Sequence, residues 1–402
     1  MTFLVSHPTG NTFVKALLEE LHQRNLLAYF ATTIGFGENF CEIFSILKKR
    51  RFYNIPDDKI KRFWYPELMR LLQKGGQEKK RRLVDQIYTK LDRNTSEEIA
   101  VQSEKIIHGY EDGAYQTFRR SKELGIQCSY ELPIAHWATV RRLLTEEAER
   151  HPQWEPTLES TREPEEKLFR KEEELRLADR ITCPSQFVLD SIPLEIRQKT
   201  PYQISSFGSP PCEQVDFECS PKNDTLNLLF VGSMSQRKGL ADLFEAMILL
   251  KGEPISLSIL GQPSMPMEFY RKQFAEFKYF PPCSNQRVRQ IMKAHDALVL
   301  PSIVEGRALV QQEALSCGLP IVVTPNTGGD DLVEEGVTGY LVPIRSPEKI
   351  AETIRSMMEN KNHKEEIRVM CQKKAIQYTW PKYAQNIIDF NLSNHEQRTE
   401  IA

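Results

Sequence analysis

Residues 297–325 read Ala-Leu-Val-Leu-Pro-Ser-Ile-Val-Glu-Gly-Arg-Ala-Leu-Val-Gln-Gln-Glu-Ala-Leu-Ser-Cys-Gly-Leu-Pro-Ile-Val-Val-Thr-Pro, and few folds accept that order. The unbroken apolar runs Ala297 to Leu300 and Pro320 to Thr324 suit strands buried on both faces, while Gly318 and Pro320 stop the helix between them. This is one βαβ unit of a parallel sheet, in which the ligand crevice lies beyond the carboxyl ends of the strands. Ser302, Glu305 and Gly306 fall there. With Glu305 at the loop-to-helix junction, the eight-residue step to Glu313 rotates by roughly 80° on an ideal helix, so the two carboxylates can address different parts of one extended ligand. The plainer alternative makes Glu305 a partner of the helix dipole and Glu313 an ordinary solvated residue.

The pair stands as Glu, seven residues, Glu inside Pro-Ser-x-x-Glu-Gly, followed by Ala-Leu-Ser-Cys-Gly-Leu-Pro-Ile-Val-Val-Thr. This resembles the signature of family 4 type retaining glycosyltransferases (group 1 glycosyltransferases), which have the two-domain GT-B fold. The resemblance implies that Glu305 faces the donor sugar as a catalytic group and that Glu313 accepts hydrogen bonds from the nucleotide ribose. It also places Gly306, Arg307, Ala308 and Leu309 around the donor. Many members have Phe-Gly where Arg307 and Ala308 stand here.

A chain of 402 residues accommodates two domains, and 40% hydrophobic content is ordinary for a globular protein. The net charge of −2 gives no global reason to expect nucleic acid as a partner. Eight cysteines without a Cys-x-x-Cys pair argue against a zinc site and for reduced thiols. Phe3, Leu4 and Val5 precede Ser6 and His7, too short a run for a signal peptide, and no window approaches the roughly 18 apolar residues of a membrane span. The expectation is a cytoplasmic protein, free or peripherally bound to a membrane.

In chain order, a strand over Phe3 to Ser6, a helix carrying Phe13, Ala16, Leu17 and Leu21, and a strand over Tyr29 to Thr33 open a Rossmann-like domain, residues 1–207. Its first loop has one glycine, Gly10, more consistent with turn chemistry than with a phosphate contact. Residues 44–93 break the pattern with 15 Lys and Arg against 6 Asp and Glu, interleaved with Phe52, Tyr53, Phe63, Trp64 and Tyr65. They read as a basic helical insertion, suited either to an anionic membrane surface or acceptor, or to plain solvation. Strands near Ile106 to His108 and Ile126 to Leu132 follow, and His136 stands at the next strand-to-helix turn. Burial habits make a lone histidine structural; the family resemblance instead implies a catalytic place beside the donor sugar, with His7 and His108 as competitors. A charged surface helix, Glu163 to Ala178, and a family-like Asp179-Arg180-Ile181-Thr182-Cys183-Pro184-Ser185-Gln186-Phe187 passage close this half before a linker at 208–225.

The second Rossmann-like domain, 226–378, opens with Asn-Leu-Leu-Phe-Val-Gly and the cationic loop Ser233-Met234-Ser235-Gln236-Arg237-Lys238-Gly239. Cations and free amides at a helix N-terminus suit a diphosphate. The loop resembles the family's donor-phosphate loop, which implies that Gly232, Arg237 and Lys238 bind the donor, and the resemblance assigns the nucleobase to backbone near Phe280 and Pro281. Residues 379–402 resemble the family's crossover helix and tail. The whole reads as a GT-B enzyme that transfers a sugar, with retention, from a nucleotide diphosphate donor to a glycan, lipid-linked or small-molecule acceptor. It would use no cofactor and, lacking an Asp-x-Asp motif, no metal. A nucleotide-sugar epimerase and a non-catalytic nucleotide-sugar-binding scaffold are the alternatives.

Overall fold

Runs such as Phe3-Leu4-Val5 and Leu228-Leu229-Phe230-Val231 bury every side chain, and only a sheet covered on both faces allows that. The computed structural model describes residues 1–37, 50–52, 54–64, 77–99, 105–212, 225–359 and 364–393. It contains two such sheets, all parallel. The first uses β1 (Phe3–Ser6), β2 (Leu27–Thr32), β3 (Ile60–Arg62), β4 (Ile106–Tyr110), β5 (Gln127–Glu131), β6 (Arg180–Cys183) and β7 (Tyr202–Ile204), in the order β3-β2-β1-β4-β5-β6-β7. The second uses β8 (Leu226–Val231), β9 (Ile255–Leu260), β10 (Phe277–Phe280), β11 (Ala297–Leu300), β12 (Ile321–Val323) and β13 (Gly339–Leu341), in the order β10-β9-β8-β11-β12-β13. The order reverses between β8 and β11, which pair through Ala297 with Leu228 and Leu298 with Leu229. The loops that leave these two strands therefore open side by side, at the switch point where ligands bind in open α/β sheets.

Residues 44–93 are not purely helical. β3 pairs Ile60 with Phe30, Ala31 with Lys61 and Thr32 with Arg62, which extends the first sheet by an edge strand. The helix Gln77–Glu98 packs Ile87, Leu91 and Thr95 inward, so the exposed Lys79, Arg82, Lys90 and Arg93 stand on the opposite face of an anchored helix. Phe52 is buried against Phe30, whereas Trp64 is 57% exposed. Lys48, Lys49, Tyr53 and Tyr65 lie outside the described residues, as does most of the linker. The charged helix Glu165–Leu177 is more than a surface element. Its fully buried Glu174 accepts from the backbone nitrogens of Asp112 (2.7 Å) and Ala114 (2.9 Å). Asp92 accepts from those of Gln116 and Thr117, so two buried carboxylates occupy the N-terminus of the helix Tyr115–Glu123.

The last helix, Trp380–Leu392, leaves the second sheet and returns to the first. Tyr383, Ala384, Ile387 and Ile388 share one core with Phe3, Val5, Leu17 and Leu21. Each of those isoleucines, fully buried, contributes on the order of 2 kcal/mol. Tyr383 is also a polar tie: its hydroxyl lies 2.8 Å from both oxygens of buried Glu131, whose Oε2 is 3.3 Å from His108 Nε2. His108 in turn shares Nδ1 with the Ser129 hydroxyl at 2.9 Å. Next to it, the rings of His7 and Tyr110 meet edge to face at 4.9 Å. Among the described residues, no helix is long and apolar enough to cross a membrane.

Two predictions follow from this junction. Tyr383→Phe leaves part of the buried Glu131 carboxylate without a donor and lowers the unfolding free energy in urea by about 1–3 kcal/mol; an unchanged midpoint and slope would contradict the tie. His7 is the pH-sensitive member. Burial lowers it from 6.5 to about 4, with Arg50 and His108 adding to the effect and the Thr9 hydrogen bond opposing it. The unfolded chain takes up the proton near 6.5 and the folded chain only near 4, so His7 costs stability progressively as pH falls through that interval. Between pH 7 and pH 4, wild type therefore loses about 3 kcal/mol more than His7→Gln, and equal losses in the two proteins would refute it.

Candidate active site

Glu305 is 7% exposed, and a carboxylate so buried stays ionised only beside cations. Two are supplied by the loop after β8: Lys238 Nζ at 2.7 Å and Arg237 Nη1 at 3.0 Å from Glu305 Oε1. Burial opposes the charge, but Lys238 and Arg237 together outweigh it and hold the Glu305 carboxyl below the usual carboxylate range. Lys238 lies below the ordinary lysine range, because burial outweighs the one carboxylate that faces it and Arg237 repels it. Two cations thus share one anion, and the group carries one uncompensated positive charge.

Local backbone fixes this arrangement. Gln236–Lys238 is a single 3-10 turn closed by Gly239 at φ +72°, where a Cβ would lie 1.9 Å from the Pro301 carbonyl oxygen. The Arg237 carbonyl accepts from the Ile303 nitrogen at 2.9 Å, which ties the two loops together. The amides at the start of the next helix are not all free, contrary to the sequence expectation: the Ala241 nitrogen donates to Gln236 Oε1 at 2.8 Å. Gly232 continues the β8 ladder through its nitrogen to the Leu260 carbonyl at 3.0 Å. Ser233 shares its hydroxyl with Ser235 at 3.3 Å.

Glu305 is not at a helix N-terminus. The helix begins at Leu309, and residues 303–308 run as a loop held by Glu305 N to Asn326 O (3.0 Å) and Ala308 N to Thr327 O (3.2 Å). The helical rotation expected between the two glutamates therefore does not apply, and the cations rather than the dipole hold Glu305 ionised. Glu313 lies on the helix Leu309–Ser316, half-buried; burial raises its carboxyl above the ordinary range, with Arg289 opposing. The buried Arg307 is spent on the framework. Its Nη1 donates to Asp331 (2.7 Å) and to the Gly328 carbonyl (3.2 Å), its Nε donates to Gln312 (3.2 Å), and its guanidinium lies 5.0 Å from the Tyr378 ring centroid. Gln312 continues to the Phe207 carbonyl and the Ser209 hydroxyl, at the start of the linker.

Phe280 ends β10, and its carbonyl already accepts from the Gly261 nitrogen at 3.1 Å; Pro281 is exposed. His136 caps the helix Trp137–Arg150. Its Nδ1 accepts from the Ala138 nitrogen at 3.4 Å, and its Nε2 is 3.1 Å from Glu172, which Trp137 also contacts at 3.0 Å. Burial lowers His136, with Glu172 opposing. Both ring nitrogens are thus engaged within the first unit, as those of His108 are.

The two units meet at the glutamate loop. A Cβ on Gly306 would lie 1.8 Å from the Pro133 carbonyl oxygen, and Ser185 donates to the Gly306 carbonyl at 2.6 Å. Ile303 and Val304 pack with Ala135, Val140, Leu143 and Leu144 of the first unit. Sequence reasoning missed the polar groups beside this seam, the buried Glu147, Gln236 and Asp242 and the half-buried Arg345. Their only sequence-level signal is the position of Gln236 directly before Arg237 and Lys238.

Comparison with known proteins bears on the fold and the family. Residues 213–377 match the family described as glycosyl transferases group 1. D-inositol 3-phosphate glycosyltransferase of Jonesia denitrificans is 26% identical over 190 residues, 44% of this chain and 44% of that one. The same enzyme of Pseudarthrobacter chlorophenolicus is 34% identical over 129 residues, 29% and 31% of the two chains. The matches thus span under half the length of these curated relatives. Among solved structures, sucrose-phosphate synthase from Thermosynechococcus elongatus superposes with a TM-score of 0.70 at 15% identity, over 97% of this chain and 98% of that one. Anabaena HepE in complex with UDP gives 0.60 at 15% identity, over 97% and 99%. The described residues therefore have the GT-B fold, and residues 213–377 match the group 1 glycosyl transferases.

Proposed function

We propose that this protein transfers a sugar from a nucleotide diphosphate donor to an acceptor, with retention at the anomeric carbon. The observation that carries the reading is the Arg237–Lys238–Glu305 group, buried at the switch point with one positive charge in excess. A diphosphate supplies the missing negative charge, and the same cations then face the charge that develops on the leaving group. HepE, of similar fold, is described in complex with UDP and with UDP-glucose, which supports a uridine donor as the first to try. Glu313 is assigned to the ribose hydroxyls: it is half-buried and raised in pKa, the condition of an acceptor short of donors.

Retention is supported by the state of Glu305. A carboxyl held ionised below its usual range is a weak base for drawing a proton from an acceptor hydroxyl, as an inverting enzyme requires. The departing diphosphate, with a phosphate pKa of about 6, is the stronger base. In this reading the bond from the anomeric carbon to the diphosphate oxygen breaks and the acceptor oxygen bonds to that carbon from the same face. The acceptor proton passes to the diphosphate. The acceptor itself is a glycan, a lipid-linked sugar or a small molecule, and the basic face of the helix Gln77–Glu98 with exposed Trp64 is assigned to an anionic acceptor or membrane surface.

Three substitutions test these roles. Lys238→Ala weakens nucleoside diphosphate binding by about 1.5–3 kcal/mol and leaves nucleoside binding unchanged. Glu313→Gln weakens the nucleotide, whereas Glu305→Gln, which leaves Arg237 and Lys238 without their carboxylate, keeps or strengthens nucleotide affinity and lowers turnover. Calorimetric titrations beside turnover assays separate these outcomes, and NMR of the product gives its anomeric configuration. An inverted product, or nucleotide affinity lost in Glu305→Gln and kept in Glu313→Gln, would overturn the assignment.

A further inference from the structure

A second charged cluster crosses the seam beside the cationic loop. From the first unit come Glu147, Arg150 and His151, at the end of the helix Trp137–Arg150, together with Thr157; from the second come Gln236, Asp242 and Arg345. Glu147, Gln236 and Asp242 are fully buried. Gln236 Nε2 donates to Glu147 Oε2 at 2.6 Å and to Asp242 Oδ2 at 2.8 Å, its Oε1 accepts from the Ala241 nitrogen, and its own backbone nitrogen donates to Thr157 Oγ1 at 3.1 Å. Both amide hydrogens and the amide oxygen are therefore used, and two of the three donations cross to the other unit.

Glu147, His151 and Asp242 have the ligand types of a divalent cation site. The charges argue against that use. Arg150 Nη1 is 2.6 Å from Asp242 Oδ1, and Arg345 Nε contacts Glu147 Oε1. Arg345 Nη1 also pairs with Glu146 at 2.8 Å, which Arg142 meets at 2.9 Å, so three guanidinium groups balance three carboxylates, and each oxygen of Glu147 and Asp242 already faces a nitrogen. Arg345 holds this position at φ +60°, a conformation unfavourable for an arginine. The cluster is a charge-balanced joint with buried carboxylates and partly exposed guanidinium groups, and its centre is the residue next to Arg237.

We propose that Gln236 is a positioning residue through which the first unit sets the geometry of the phosphate-binding cations. The Gln236–Lys238 turn is held on one side by Pro301 and Ile303 of its own unit and on the other by Glu147 and Thr157 across the seam. Loss of the seam contacts releases one side of the turn and lets Arg237 and Lys238 drift from their common focus. Diphosphate binding and closure of the seam are then thermodynamically linked, each favouring the other. The inference rests on the reading that Arg237 and Lys238 bind a diphosphate.

The test uses the full chain and UDP, ADP or GDP, whichever raises the wild-type melting temperature most, with the corresponding nucleoside as control. Thr157→Val removes the acceptor for the Gln236 nitrogen at nearly constant volume, and Thr157→Ser keeps it. By calorimetry, Thr157→Val should weaken the nucleoside diphosphate several-fold and leave the nucleoside unaffected, Thr157→Ser should bind as wild type, and Gln236→Ala should lose roughly ten-fold, on the order of the 1.4 kcal/mol that a ten-fold change represents. Gln236→Ala carries the comparison alone if Thr157→Val yields no folded protein. Wild-type affinity in both Thr157→Val and Gln236→Ala, or equal loss of nucleoside and nucleoside diphosphate, overturns the proposal while the donor site stands. Absence of nucleoside diphosphate binding by the wild type overturns the donor site and this inference with it.

Discussion

At Gly306 two backbones from different halves of the chain approach more closely than any side chain permits, and the position of Glu305 depends on that contact. Any Cβ there would overlap the Pro133 carbonyl. The contact is reinforced by the Ser185 hydroxyl on the Gly306 carbonyl and by Ile303 and Val304 in an apolar cluster drawn from both units. A glutamate one residue away is thereby carried to the seam, where water is scarce and its charge has to be met by protein. The cationic turn after β8 meets it, because β8 and β11 are adjacent strands whose loops emerge together.

The seam holds two charged groups with opposite balances. Around Gln236, carboxylates and guanidinium groups cancel, which suits a joint that needs no ligand. Around Glu305, two cations face one carboxylate, and the surplus is a demand that an anionic ligand can satisfy. The residues between them, Gln236 to Lys238, make up one short turn. Packing that orients the neutral group also orients the charged one, so a joint between units and a candidate donor site occupy a single element.

The ends of the chain complete the frame. The last helix gives its apolar face to the core of the first unit and one hydroxyl to Glu131, so the second unit is anchored at both the seam and the tail. Arg307 adds a third tie, from the glutamate loop through Gln312 to the Phe207 carbonyl. Its place in the motif suggested contact with the donor sugar, but its guanidinium is committed to holding the loop against the linker.

Much of this was legible in sequence, because period and punctuation are local properties. Apolar runs of four to six residues separated by helical spacing specified parallel strands, and Gly318, Pro320 and Gly239 marked where helices stop and start. The Glu-x7-Glu spacing and the Arg-Lys pair pointed to the candidate site and to the family it resembles. Other features depended on partners tens of residues away. The edge strand β3 was hidden in a run of basic residues because three residues are too few to show a period. The use of His136 as a helix cap, the withdrawal of Arg307 and the role of Gln236 were invisible for a common reason: a polar side chain has several possible partners, and only packing decides which one excludes water. Chain order therefore determined the two sheets and the residues that can reach the crevice, while tertiary contact decided which of those residues remain free for a ligand and which are consumed in holding the halves together.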